Sequence, residues 1–144
     1  MAGIVGSISS QSSNYYNRVY IERCSNVGNI GNIETSGYAT GIIHSVTGTD
    51  NSSYIRYCYN TGNIIARNGE CSGIAGDNSC VLQYCYNAGN IENSSAEAVG
   101  IVNNAKNDIS YCYNLGNIVG GNAGGIVRRF RRKCCGSDSR KSKN

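Results

Sequence analysis

Apolar residues in this chain come in short bursts. Ile, Val and Tyr gather over stretches of about 4–6 residues, the length and composition of strands in a β-rich unit, and Gly or Asn interrupts every stretch. No link is free of Gly and Asn for long enough to build an amphipathic helix. The bursts also recur. Anchored on Cys24, Cys58, Cys85 and Cys112, the chain repeats at intervals of 34, 27 and 27 residues. Three near-copies read YCYNTGNI from Tyr57, YCYNAGNI from Tyr84 and YCYNLGNI from Tyr111, and a degenerate fourth reads RCSNVGNI from Arg23. Between them runs a second column: AGIVG from Ala2, TGIIH from Thr40, SGIAG from Ser72, VGIVN from Val99 and GGIVR from Gly124. The longer first interval contains TGTDNSS from Thr47, a polar stretch that reads as a loop inserted into one coil.

A repeat of this length that cannot hold two helices excludes the helical solenoids, and leucine-rich repeats need an L-x-x-L-x-L framework that is absent. The fold expected is all-β: a parallel β-solenoid of about four coils over residues 1–127, one coil per repeat, with about three short strands per coil. Coils would stack at the ordinary strand spacing of about 4.8 Å.

Stacking explains why three of the copies differ at a single position. Each motif residue lies over its equivalent in the next coil, so identical residues form columns, and Asn and aromatic columns are favourable in register. Asn26, Asn60, Asn87 and Asn114 are expected to pass amide hydrogen bonds along one column. Gly28, Gly62, Gly89 and Gly116 are expected at φ > 0, where a side chain is opposed. Ile30, Ile64, Ile91 and Ile118 should resume the core, and the variable Val27, Thr61, Ala88 and Leu115 should face solvent. A corner at Tyr57, Tyr84 and Tyr111 resets the strand alternation. It turns the cysteines inward and Tyr59, Tyr86 and Tyr113 outward as a candidate binding surface.

The chain has eight cysteines and one histidine, His44. Four cysteines occupy the motif column. Cys71 takes a site filled elsewhere by Ala39, Ala98 and Ala123, so it reads as a small hydrophobe. Cys80 is unmatched, and Cys134 and Cys135 lie in the tail. No convergent pairs suit a metal, no base accompanies the motif cysteines, and neither a cofactor nor a disulfide framework is expected.

Charge divides the chain. Residues 1–127 hold five basic and eight acidic residues, a net of −3, whereas residues 128–144 hold eight basic residues and one acid, a net of +7. The tail is therefore expected to be a solvated, disordered terminus. Contact with nucleic acid or an anionic membrane could rest only on it. No run of about 20 apolar residues and no signal peptide is visible.

The pairing of G-[IL]-[VA]-G with C-Y-N-x-G-N-[IV] resembles the GLUG-motif repeats of large bacterial, Firmicutes-type surface proteins. These include adhesin-like proteins and the non-catalytic regions of some IgA-cleaving metalloproteases. The resemblance covers roughly Ala2 to Val127. G-I-x-G is intact in GIVG from Gly3 and GIAG from Gly73 and eroded to GIIH, GIVN and GIVR elsewhere. The resemblance implies an extracellular, cell-surface module without catalysis. It transfers no ligand residues, and no H-E-x-x-H is present. The expected function is an adhesive, binding or spacer segment for an unidentified protein or glycan. One alternative is self-association of the β-solenoid through uncapped ends, giving a filament or oligomer. A β-helix carbohydrate-active enzyme fits less well, because such enzymes gather carboxylates in one groove and the acids here read as scattered.

Overall fold

A computed structural model describes residues 1–9, 18–34, 37–49 and 52–131; the tail from residue 132 on, with Cys134 and Cys135, lies outside them. The chain is all-β, without a helix among the described residues, and winds as a parallel β-solenoid of about four coils. Each full coil visits five sheets in turn. The first sheet is five-stranded: Val5–Ser9, Ile43–Thr47, Ala75–Asn78, Val102–Ala105 and Val127–Phe130. The second stacks Tyr20–Glu22, Tyr54–Arg56, Val81–Gln83 and Ile109–Ser110, and the third Ser25–Asn26, Tyr59–Asn60, Tyr86–Asn87 and Tyr113–Asn114. The fourth comprises Ile30–Gly31, Ile64–Ala66, Ile91–Asn93 and Ile118–Val119, and the fifth Ala39–Thr40, Cys71–Ser72, Glu97–Val99 and Asn122–Gly124.

Five strands per coil, rather than the three expected, follow from the motif itself. The corner before each Cys and the x-G-N turn after each Asn isolate the Tyr-Asn pair as a two-residue strand of its own. Register is strict: Tyr59 pairs with Tyr86 and Tyr86 with Tyr113, Asn60 with Asn87 and Asn87 with Asn114, Ile64 with Ile91 and Ile91 with Ile118. Of the seven extra residues of the first interval, five lie between strands Ile43–Thr47 and Tyr54–Arg56, where the polar insertion was expected, and two between Ile30–Gly31 and Ala39–Thr40; residues 35, 36, 50 and 51 are outside the described set. Strand Val127–Phe130 pairs with Val102–Ala105, so the solenoid continues three residues past the expected boundary.

The core is two clusters. The larger gathers Ile21, Ile42, Ile43, Val46, Ile55, Ile74, Leu82, Ile101 and Val102 with the cysteine column. The smaller holds Ile30, Ile64, Ile91, Ala39, Cys71 and Ala98, with Ile118 packed against it. Cys71 pairs with Ala39 and Ala98, and Ala98 with Ala123, the small-residue column that the sequence implies. At the last coil the larger cluster opens into a groove of about 550 Å³ whose lining includes Ile109, Ile126, Val127 and Phe130.

Candidate functional site

Each coil turns at the residue before the motif Cys. Arg23, Tyr57, Tyr84 and Tyr111 all have φ 54°, a left-handed conformation that costs a non-Gly residue roughly 1–2 kcal/mol. Two contacts offset it. The thiol of each following Cys donates back across the corner to a carbonyl two residues upstream: Cys58 to Arg56 at 3.2 Å, Cys85 to Gln83 at 3.2 Å, Cys112 to Ser110 at 3.3 Å and Cys24 to Glu22 at 3.4 Å. The corner tyrosines also stack, Tyr57 on Tyr84 at 5.0 Å and Tyr84 on Tyr111 at 4.7 Å between ring centroids. Such pairs contribute about 0.5–1.5 kcal/mol beyond their buried area. The corner turns the cysteines inward: Cys58 and Cys85 are buried and Cys24 and Cys112 half-buried against the core.

The asparagine column forms a continuous chain of hydrogen bonds. Asn26 Nδ2 donates to Asn60 Oδ1, Asn60 to Asn87 and Asn87 to Asn114, each at 2.7 Å. Each Nδ2 donates its other hydrogen to the carbonyl of the Gly two residues on, Gly28, Gly62, Gly89 or Gly116, again at 2.7 Å. Asn60 and Asn87 are fully buried, and a buried polar group is stable only when satisfied in this way.

The motif glycines need a correction. None of Gly28, Gly62, Gly89 and Gly116 has a positive φ. The left-handed residue is the one before Cys, and these glycines answer to close approach instead. A Cβ on Gly62 would lie 2.0 Å from Gly28 O, one on Gly89 2.0 Å from Gly62 O, and one on Gly116 2.0 Å from Gly89 O; only at Gly28, where the nearest atom is Asn26 Oδ1 at 4.0 Å, would a Cβ fit. The G-I column meets the same ladder from across the coil. A Cβ on Gly41 would lie 2.8 Å from Asn60 Cβ, and one on Gly73 2.6 Å from Asn87 Cβ. The two sequence motifs therefore recur together because the Gly of one makes room for the Asn of the other.

Ile30, Ile64 and Ile91 are buried and Ile118 half-buried, while Val27, Thr61, Ala88 and Leu115 are exposed, as expected. Tyr59, Tyr86 and Tyr113 form an outer ladder, with centroids 5.0 and 5.2 Å apart and ring planes within 5°. Two columns were missed by reading the sequence for binding residues. The exposed corner tyrosines form a second ladder beside the first. The Asn of each G-N-I is exposed, and Asn29, Asn63 and Asn90 each accept the backbone N–H of their equivalent one coil on, Asn63, Asn90 and Asn117, at 2.9–3.1 Å. The strict repetition of both columns was the available signal.

The acids are less scattered than they read. Glu70 and Glu97 are one repeat apart and share one column of the fifth sheet's edge. Arg128 Nη2 meets Glu97 Oε1 at 2.5 Å, and its Nη1 lies 3.8 Å from Glu70 Oε1. The buried Asn103 amide donates to Glu70 Oε2. Burial and then the neighbouring Glu97 push the Glu70 carboxyl up, against the pull of Arg128 and Asn103. Because Arg128 bridges both carboxylates, the cluster ties the last strand of the first sheet to the fifth sheet. His44 packs on Tyr38 at 4.8 Å, and burial holds its pKa below the usual value. Burial pushes the Cys71 thiol up to about 11. Cys85, between the thiols of Cys112 and Cys58, is also pushed up. Among the described residues no group of three or more His, Cys, Asp or Glu is placed to hold a metal ion.

No family model, curated protein or solved structure matches this chain.

Proposed function

We propose that the chain is a non-catalytic extracellular repeat module, a binding or spacer segment of a GLUG-type surface protein. The observation that carries this reading is the division of labour between its columns. Inward Cys, Asn and Gly columns are consumed in holding the coils together. Two outward Tyr ladders present the same groups on three successive coils. Tyr combines apolar area with a polar tip and few rotatable bonds, which suits recognition. The motif resemblance supports the surface location.

The test is to change Tyr59, Tyr86 and Tyr113 together to Ser and to screen native and variant protein on glycan and host-protein arrays. The reading predicts that the native chain binds and the variant does not, with the β circular dichroism signal retained. A native chain that binds nothing, together with a variant that only melts earlier, would show the ladders to be purely structural.

A further inference from the structure

Along each coil a corner Tyr, an outward Tyr and an exposed Asn follow one another within seven residues: Tyr57, Tyr59 and Asn63, then Tyr84, Tyr86 and Asn90, then Tyr111, Tyr113 and Asn117. From residue 57 to 63, from 84 to 90 and from 111 to 117, no side chain is charged. Six tyrosines repeat at 4.7–5.2 Å along the axis. Their phenol oxygens make no hydrogen bond to another described residue. Beside them, Asn63 and Asn90 use their Oδ1 atoms on the next coil's backbone N–H, at 3.0 and 3.1 Å, so their amide hydrogens are left to solvent. The strip thus offers uncharged donors and acceptors at one fixed spacing.

Two features define what fits. First, the rings lie within 3–10° of parallel and cover one another's faces. A lone sugar stacking on one ring finds no free face inside the ladder, whereas a ligand that repeats in step finds the same edge, hydroxyl and amide at every coil. Second, the strip is small. Three coils at ~4.8 Å spacing and at most seven residues of width at ~3.3 Å each give a strip about 15 Å by 23 Å, roughly 350 Å², well short of the ~800 Å² per partner of a stable protein interface. A thin, periodic, neutral chain meets both conditions.

We propose that this strip binds an uncharged β-1,4-linked glycan laid along the solenoid axis, one sugar per coil. An extended β-1,4 chain advances per sugar by nearly the spacing of hydrogen-bonded strands; successive sugars turn over, so alternate coils meet opposite edges of the ring, each edge carrying hydroxyls. Its equatorial hydroxyls can donate to and accept from Tyr oxygens and accept from Asn amides. An α-1,4 chain of the same sugars coils and cannot stay in step. This inference rests on the binding-module reading and assigns its ligand.

The test is calorimetric titration of the full chain with cellohexaose, chitohexaose and, as the out-of-step control, maltohexaose. The expected result is binding of at least one β-1,4 hexamer, at least ~10-fold tighter than maltohexaose. Affinity should rise from disaccharide to trisaccharide. Tyr59→Ser/Tyr86→Ser/Tyr113→Ser should abolish it. Asn90→Asp, which keeps the acceptor for the Asn117 N–H while removing the outward donor, should weaken it several-fold without unfolding the coil, even if the triple variant does not fold. Equal binding of maltohexaose, or no binding of either β-1,4 hexamer by the native chain, overturns the proposal. So does Tyr-dependent dimerisation in sedimentation, which would assign the strip to a second copy. If the arrays then reveal another Tyr-dependent ligand, only the glycan assignment fails; if they reveal none, the binding-module reading fails with it.

Discussion

Removing one rung from the middle of the inner Asn ladder should cost far more than removing the neighbouring exposed Asn. Asn87→Ala deletes three hydrogen bonds of 2.7 Å: those donated to Gly89 O and Asn114 Oδ1, and the one accepted from Asn60. The groups left behind are one Asn60 N–H, the Gly89 carbonyl and Asn114 Oδ1. A buried group left unsatisfied costs about 1–3 kcal/mol. Asn60 is fully enclosed and Asn114 only half-buried, so the sum is about 3–6 kcal/mol, a large share of the ~5–15 kcal/mol that holds a typical domain. Asn90→Ala removes only one accepted bond, from the Asn117 N–H at 3.1 Å, at an exposed site, and should cost about 1 kcal/mol or less. Urea unfolding followed by circular dichroism measures both. Because solenoid stability is a sum over neighbouring coils, Asn87→Ala should also broaden the transition as the coils on either side uncouple. Equal midpoint shifts for the two variants would refute the ladder as the principal polar tie between coils.

Three further outcomes follow from the geometry. Gly73→Ala places a Cβ 2.0 Å from Gly100 O and should destabilise strongly, whereas Gly125→Ala, in the same motif column but with nothing within 4 Å, should be nearly neutral in thermal unfolding. Thiol labelling of the native protein should be slow at Cys58, Cys71 and Cys85, which are buried; rapid labelling of Cys85 would place the corner wrongly. The lowered pKa of His44 makes its neutral form the folded one, so the unfolded chain takes up the proton first as pH falls. Its contribution to stability should be present above about 6.5 and decline below it. His44→Gln should flatten that part of the stability profile, and an unchanged profile would contradict the assignment.

The sequence made columns legible because like residues recur at fixed intervals, and stacking is the direct consequence of such recurrence. The corner at Tyr57, the inward Cys85 and the outward Tyr86 all followed from reconciling strand alternation with a repeated Cys between two tyrosines. The glycine columns were legible as positions and not as causes. A left-handed turn and a close carbonyl both demand Gly, and only the 2.0 Å approach of Gly62 O to the site of a Gly89 Cβ separates them. The left-handed residue is a Tyr, which propensity does not suggest, since the cost is offset by stacking and a thiol hydrogen bond invisible in the chain. Glu70 and Glu97 were one repeat apart all along. Their partner Arg128 belongs to a strand that reads as the start of a basic tail, and charge composition alone does not place it on the solenoid.

The most direct test of the account is nuclear magnetic resonance of the Asn side-chain amides in isotope-labelled protein. Asn60 and Asn87 should exchange their amide hydrogens slowly, and each should show cross-relaxation to the Asn one coil away in space, 27 residues away in sequence. Asn63 and Asn90, on the surface, should exchange fast. Uniformly fast exchange at all four, or contacts confined to residues near in sequence, would contradict a solenoid held in register by its inner ladder.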